Sequence, residues 1–167
     1  FLFGAGFESR TGCQLLPDPV LLEWGSVRAF ISHGDPLCTA DHSYQEFRSM
    51  VRDRRWQRRY LRLPLATRRL LADAARSGSR AHTTRTRGYI MDVAPDAVDA
   101  ACRIANTDLV IHGHTHRPDV HALQVDGRAR TRIVLGDWYD QGSALLLWAD
   151  GGHELRSLPR QAGYRDL

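Results

Sequence analysis

Three histidines at alternate positions are the residues of this sequence best suited to chemistry. They are His112, His114 and His116 in the stretch "DLVIHGHTHRPDV", residues 108–120. Alternate side chains of an extended segment point to the same side, so we expect the three rings to lie together. A neutral imidazole offers a nitrogen lone pair to a divalent metal ion. The spacing therefore predicts part of a metal site directly after an apolar strand.

A further histidine occupies a similar place earlier in the chain. His33 follows the β-prone run "VRAFI" at the turn "SHGDPL", and residues at strand ends are held rigidly enough to ligate. We predict metal binding by His33, His114 and His116. His112, still within the apolar run, is expected to pack or to support a ligand. Asp35 and Asp137, near turns, are candidates for orienting His33 or capping loops.

The elements around these histidines indicate a mixed α/β fold. Residues 41–87 have helical spacing interrupted at Pro64, which predicts two or three short helices. Residues 94–105 predict an amphipathic helix with Pro95 near its start, and the strand "DLVI" follows. Paired strands joined by tight turns are expected after the histidines. We therefore predict a layered α/β structure with the active residues at the strand ends.

Composition limits the class of protein. The 167 residues fit one domain, and a hydrophobic content of 43% is enough for a core. No apolar run approaches the ~20 residues of a membrane span, and the first residues do not resemble a signal peptide. Three cysteines without a C-x-x-C pair favour a reducing cytoplasm. Because the sequence opens on Phe1, in what reads as the middle of an element, we expect a fragment.

Positive charge is concentrated in one segment. Residues 48–87 contain 13 arginines and two aspartates, and the whole chain has no lysine. Such a segment attracts phosphates, nucleic acid or an anionic membrane surface.

Two motifs carry a resemblance to a known family. "SHGD" and "HGHTHRP" resemble the last two signature blocks of the calcineurin-like metallophosphoesterases. With "HGDPLCTADHSYQEFR", "YIMDVAPDAV" and "RIVLGDWYDQGS", nearly the whole chain resembles the UDP-2,3-diacylglucosamine pyrophosphohydrolases of the lipid A pathway. The resemblance implies an incomplete calcineurin-like layered α/β sandwich. Residues 1–167 would be the carboxyl-terminal part of one metallophosphoesterase domain, with residues 41–90 as a helical lid insertion.

The same resemblance implies a reaction and a cofactor. The family hydrolyses the pyrophosphate of UDP-2,3-diacylglucosamine to lipid X and UMP, with two Mn²⁺ ions that activate water. His33 and His114 would bind one ion and His116 the other, and His114 would also contact the substrate. The implied location is the cytoplasmic face of the inner membrane, where the protein would be peripheral and would meet an anionic membrane surface.

Substrate contacts are implied for the basic helical segment. Asp41, Tyr44 and Ser79 match positions that touch the substrate sugar or line its cleft in the family. Thr83 stands where the family often has Asn, and Thr86 where it often has Lys. The missing Lys puts one phosphate contact in doubt, although Arg85 or Arg87 could supply the charge.

The family's earlier motifs, D-x-H, G-D-x-x-D and G-N-[HR]-D, do not occur in the printed sequence. We therefore expect the carboxyl-terminal portion of the enzyme. Three histidines without a bridging carboxylate are not expected to hold two hard ions close together. The prediction for residues 1–167 alone is weak metal binding and no turnover.

Other interpretations stay open. A different metallophosphoesterase, acting on nucleotides or phosphodiesters, would use the same histidines, and so would a mononuclear zinc hydrolase. The arginine-rich helices could instead belong to a nucleic-acid-binding module. Such a module has no use for the histidine block, so nucleic acid is not expected as a partner.

Overall fold

A computed structural model describes residues 3–85, 90, 92–138 and 142–158, and gives no side-chain description for residues 80–85. The chain divides into two compact units. One contains Phe1–Leu16 and Cys38–Asp92, and the other contains Pro17–Leu37 and Val93–Leu167. We call them the helical unit and the sheet unit. The predicted mixed α/β class is confirmed, since both helices and a mixed sheet are present.

The sheet unit is built on five strands. Their bounds are β1 Val20–Trp24, β2 Val27–Ser32, β3 Leu109–His112, β4 Asp119–Val125 and β5 Arg128–Val134, in the spatial order β1-β2-β3-β5-β4. The three central strands, β2, β3 and β5, run parallel, whereas the edge strands β1 and β4 pair antiparallel to their neighbours. Three parallel strands end at one edge, which brings the loops that follow them together.

Strand β1 was not predicted. It forms a hairpin with β2 through Gly25 and Ser26, with Trp24 opposite Val27. A two-residue turn containing Gly between apolar runs is a hairpin signal that the sequence offered. Gly25 is needed there, because its φ is +58° and a Cβ would come within 2.4 Å of the Ala149 carbonyl oxygen. The short helix α1, Ala5–Thr11, in the helical unit, was not predicted either.

Two further elements cover the faces of this sheet. The hairpin of β6 (Gly142–Leu147) and β7 (His153–Leu158) packs leucines against the side of the sheet that carries Ile111 and Ile133. On the other side lies α5, Pro95–Ala105, which buries Val98, Ala101 and Cys102 and confirms the predicted amphipathic helix. Each face thus excludes water from one set of alternating strand residues, and burial of that apolar area stabilises the layers.

Helix α5 has clear sequence signals at both ends. Pro95 occupies the first turn, where its missing N–H leaves no hydrogen bond unmade. Asn106 ends the helix in the left-handed conformation, at φ 45°. Helix α5 therefore delivers the chain into β3, the strand that carries His112 at its end.

The helical unit contains α2 His42–Arg52, α3 Arg54–Leu61 and α4 Leu65–Arg85. Three helices agree with the prediction, but α4 is 21 residues long and not short. Pro64 precedes α4 and its carbonyl accepts the first hydrogen bond, from the Arg68 N–H at 3.0 Å. Asp53 caps α3 by accepting from the Trp56 N–H. No helix among the described residues is both long and apolar enough to cross a membrane.

Candidate functional site

The site histidines lie at one edge of the five-stranded sheet. His33 comes directly after β2, and His114 and His116 lie in the loop after β3. The loop after β5 adds Asp137. Since these three strands are parallel neighbours, their carboxyl ends meet at the same edge, which is where open α/β sheets bind ligands.

A set of polar groups holds His33. The Asp18 carboxylate accepts from the Ser32 hydroxyl at 2.8 Å and from the His33 N–H at 3.1 Å. Asp35, which is 2% exposed, lies 3.0 Å from His33 Nδ1. A carboxylate can only accept, so Nδ1 carries a proton and donates to Asp35. The prediction that Asp35 orients His33 is confirmed.

His33 and His114 come together. Their ring centroids are 5.0 Å apart at an interplanar angle of 57°. Burial lowers the pKa of His114 below its usual value, and the neighbouring His33 lowers it further. A lowered pKa keeps the imidazole neutral, which is the form that binds a metal ion or accepts a proton.

The expected alternation of the three rings was wrong. Strand β3 ends at His112, and His114 and His116 then adopt left-handed backbone conformations, with φ of +68° and +55°. The segment after His112 is therefore a loop and not an extended strand. Left-handed conformation is unfavourable for a side chain with a Cβ, and such strain concentrates at functional sites.

His112 ends β3 and is 1% exposed. Its Nδ1 is 2.9 Å from the Gly113 carbonyl oxygen, and its Nε2 is 3.2 Å from Arg132 Nη1. The expectation that His112 packs is confirmed, and its support of a metal ligand stays a prediction.

His116 is more exposed than His114 and has a different partner. Its Nδ1 lies 3.4 Å from the Asp137 carboxylate, which follows β5. Asp137 thus faces Nδ1 of His116, as Asp35 faces Nδ1 of His33, and the Nε2 atom of His116 lies on the side of the ring away from Asp137.

The donor set does not fit two manganese ions as it stands. Among the described residues, no three His, Cys, Asp or Glu side chains come close enough to hold a metal ion. Mn²⁺ prefers oxygen ligands, whereas Asp35 and Asp137 face histidine nitrogens and the Asp18 carboxylate accepts from the Ser32 hydroxyl and the His33 N–H. His33 and His114 supply two nitrogen donors of what would have to be a larger set.

The predicted substrate residues lie in the helical unit. Asp41 caps α2 by accepting from the Tyr44 N–H at 3.0 Å. Tyr44 and Ser79 line a groove of about 320 Å³ between α2 and α4, with the apolar Phe47 and Ala75. Thr83 lies in α4, but its side chain is outside the described residues, as is the whole of Thr86.

Helix α3 presents an exposed row of arginines. Arg54, Arg55, Arg58 and Arg59 are exposed, and none forms an ion pair with another residue that the structure describes. Trp56 and Tyr60 stack on each other, with ring centroids 5.1 Å apart. The helix therefore separates an aromatic side from a cationic one.

Asp18, Ser32 and Arg132 were missed by sequence reasoning. Asp18 contacts a strand end that lies 14 residues further along the chain, and Arg132 reaches His112 across a strand pairing. Neither contact follows from spacing within one element. The only local hint was the position of Ser32 immediately before His33.

Comparison with known proteins relates the chain to one group of enzymes, although no family model matches it. It is 44% identical over 168 residues to a UDP-2,3-diacylglucosamine hydrolase of Stenotrophomonas maltophilia strain K279a, covering 96% of this chain and 67% of the relative. Similar enzymes of Aeromonas hydrophila and Bordetella parapertussis are 45% and 47% identical, covering 87% and 83% of this chain.

The chain spans 61% of the Aeromonas hydrophila relative and 54% of the Bordetella parapertussis relative. Identity at this level over nearly all of the chain, joined to histidines at the carboxyl ends of parallel strands, assigns it to a family. The chain belongs to the UDP-2,3-diacylglucosamine hydrolase family.

Proposed function

We propose that this chain provides part of the active site of an enzyme that hydrolyses the pyrophosphate of UDP-2,3-diacylglucosamine to lipid X and UMP. The observation that carries the proposal is the 5.0 Å approach of the His33 and His114 rings at the carboxyl edge of three parallel strands. The relatives, named for hydrolysis of this substrate, support the same reaction class.

The geometry suits nitrogen donors for a metal ion. His33 donates through Nδ1 to Asp35, and burial lowers the pKa of His114, which favours its neutral form. In their neutral forms both imidazoles can offer lone pairs at the same place. His116, oriented by Asp137 from the next loop, supplies a third nitrogen at this edge.

Manganese is proposed as the cofactor of the complete site. His33, His114 and His116 would be its nitrogen ligands, and oxygen ligands would have to come from side chains other than the described ones at this edge. When bound, the ions would lower the pKa of a water molecule and neutralise phosphate oxygens. Mn²⁺ titration of the 167-residue chain, followed by electron paramagnetic resonance, is expected to find weak binding that His33→Asn weakens further.

Residues 41–90 are proposed to be the helical lid insertion of a calcineurin-like layered fold. Their groove between α2 and α4 is lined by Tyr44, Phe47 and Ser79, and this largely apolar lining is suited to part of a doubly acylated sugar. The exposed arginines of α3 would face anionic headgroups, so the protein would be peripheral at the cytoplasmic face of the inner membrane. Asp41, Thr83 and Thr86 stay predicted substrate contacts.

The test compares two proteins. One is the 167-residue chain. The other joins this chain to the amino-terminal segment of the Stenotrophomonas maltophilia relative. From the family resemblance we expect that segment to contain the motifs D-x-H, G-D-x-x-D and G-N-[HR]-D. We expect Mn²⁺-dependent release of UMP from UDP-2,3-diacylglucosamine by the joined protein only. The variant His114→Asn should abolish that release, while His153→Asn, on the β6–β7 hairpin, should leave it unchanged.

Three outcomes would contradict the proposal. Robust turnover by the 167-residue chain would show that its own residues complete the site. Faster hydrolysis of simple nucleotides or cyclic phosphodiesters than of the acylated substrate would favour a different metallophosphoesterase. Salt-sensitive oligonucleotide binding that His114→Asn leaves unchanged would favour a nucleic-acid-binding module.

A further inference from the structure

We propose that His112 and Arg132 form a positioning pair that sets the distance between His33 and His114 through hydrogen bonds. The inference rests on the proposed function for its purpose, because it concerns the geometry of the same site. Neither residue is a predicted ligand, and His112 is buried at the end of β3.

The hydrogen bonds determine the state of the His112 ring. Arg132 Nη1 lies 3.2 Å from Nε2 and can only donate, so Nε2 must accept. The Gly113 carbonyl oxygen lies 2.9 Å from Nδ1 and can only accept, so Nδ1 must donate. Only the neutral Nδ1–H tautomer satisfies both partners. A guanidinium that is always charged thus selects one tautomer of the buried ring.

This tautomer anchors the loop that carries His114. Its Nδ1–H binds the carbonyl of Gly113, the residue that separates His112 from His114. The Gly113 N–H in turn donates to the His33 carbonyl at 3.0 Å, and so connects the two loops. Arg132, His112, Gly113 and His33 are therefore linked in series.

The His112 ring also limits how the His33 loop approaches. Gly34 has a φ of +110°, and a Cβ built on it would lie 2.9 Å from His112 Nδ1 and 2.8 Å from the Gly113 carbonyl oxygen. The loop after β2 therefore packs directly on the ring and on the carbonyl that the ring holds. A rotation of the ring would move both loops.

A second position for the Gly113 carbonyl would change the site. If His112 released this carbonyl, the peptide before His114 could turn, and the His33 carbonyl could lose its donor. His114 already holds an unfavourable left-handed conformation, at φ +68°. Strained residues persist only where their surroundings overdetermine them, and His112 supplies one such constraint.

The first measurement needs no variant. Imidazole ¹⁵N resonances of the uniformly labelled 167-residue chain distinguish a protonated nitrogen from an unprotonated one. We expect His112 to be the Nδ1–H tautomer in the folded chain at neutral pH. The Nε2–H tautomer would overturn the proposal.

The second measurement separates hydrogen bonding from packing. His112→Asn keeps an N–H donor near the position of Nδ1, whereas His112→Phe keeps a ring of similar size without hydrogen bonds. We expect the nuclear Overhauser effect between the His33 and His114 rings to be retained in H112N and lost in H112F. If the His112 ring acted only by filling space, the effect would instead be retained in H112F and lost in H112N. Retention in H112F, or loss in H112N, would overturn the proposal.

Arg132 provides an independent pair of variants if H112F does not fold. Arg132→Lys retains a donor and Arg132→Met removes it. The ring-to-ring effect should persist in R132K and weaken at least severalfold in R132M, and persistence in R132M would overturn the proposal. His153→Asn, a histidine-to-asparagine change on β7 in the separate two-stranded hairpin, is the matched control. None of these readouts uses turnover, so failure of the proposed hydrolysis would leave them interpretable.

Discussion

The imidazole rings of His33 and His114 lie 5.0 Å apart, although one follows β2 and the other follows β3. The parallel pairing of these strands, with Ser32 opposite His112, brings the two loops side by side. The pair is the centre of the proposed site. Its geometry leads to the first prediction below.

His114 is expected to titrate at a lower pH than an ordinary histidine. Burial lowers its pKa and the nearby His33 adds like-charge repulsion. The folded chain then binds fewer protons than the unfolded chain below about pH 6.5, so stability should fall as the pH decreases through that range. Proton NMR titration of the His114 ring gives the pKa directly.

The matched variant is His114→Asn, because asparagine tolerates left-handed conformation better than most residues. The loss of unfolding free energy between pH 7.5 and 5.5 should be smaller in this variant than in the unmodified chain. An equal loss in both proteins, or a His114 pKa above the ordinary value, would contradict the prediction.

Replacing Gly34 by Ala is expected to destabilise the chain more than the same replacement at Gly127, which also has a positive φ. In Gly34→Ala the new methyl would meet backbone oxygen of Gly113 and the His112 ring below 3.0 Å. The collision should destabilise by ~1–3 kcal/mol, beyond the ~1–2 kcal/mol of left-handed strain. Thermal and urea unfolding measure the difference.

Gly127 is the control, because it has a φ of +73° but nothing within 4 Å of its added Cβ. Gly127→Ala should therefore show only the conformational part of the loss. Equal destabilisation by the two substitutions would mean that the loops after β2 and β3 do not interlock.

One cysteine should react with alkylating reagents in the folded chain. Cys13 is exposed, whereas Cys38 and Cys102 are buried. Burial also raises the pKa of the Cys102 thiol, which reduces its thiolate fraction at neutral pH. Brief treatment with iodoacetamide should add a single group at Cys13, and denaturant should expose all three. Early modification of Cys102, detected by mass spectrometry, would contradict its burial between α5 and the sheet.

Helix α3 should bind anionic vesicles through its exposed arginines. Replacing Arg54, Arg55, Arg58 and Arg59 by Gln removes four charges that have no described ion-pair partner. At about 1 kcal/mol for each charge, affinity for phosphatidylglycerol vesicles should fall on the order of a hundredfold or more at low salt. Vesicle sedimentation measures this loss.

Replacing the same four residues by Lys keeps the charge and is the matched control. Binding should stay close to that of the unmodified chain and should weaken as salt increases. Unchanged binding by the Gln variant would exclude α3 as the membrane-facing element.

Local signals in the sequence were enough for the elements that carry the site. The run "VRAFI" and the turn at Gly34 predicted the end of β2, and Pro95 with its apolar spacing predicted α5. Such patterns work because periodicity and turn preferences act within a few neighbouring residues. The same reasoning missed β1, and the assumption of extended backbone after β3 was wrong.

The sequence by itself determined which residue types stand at the strand ends, because strand ends follow from local patterns along the chain. Only the tertiary structure decided that His33 meets His114, that Asp18 holds the His33 loop and that Arg132 reaches His112. These contacts depend on the strand order β1-β2-β3-β5-β4, which joins segments far apart in the chain. The physical reason is that strand pairing is chosen by the burial of both sheet faces together, and no single segment encodes that choice.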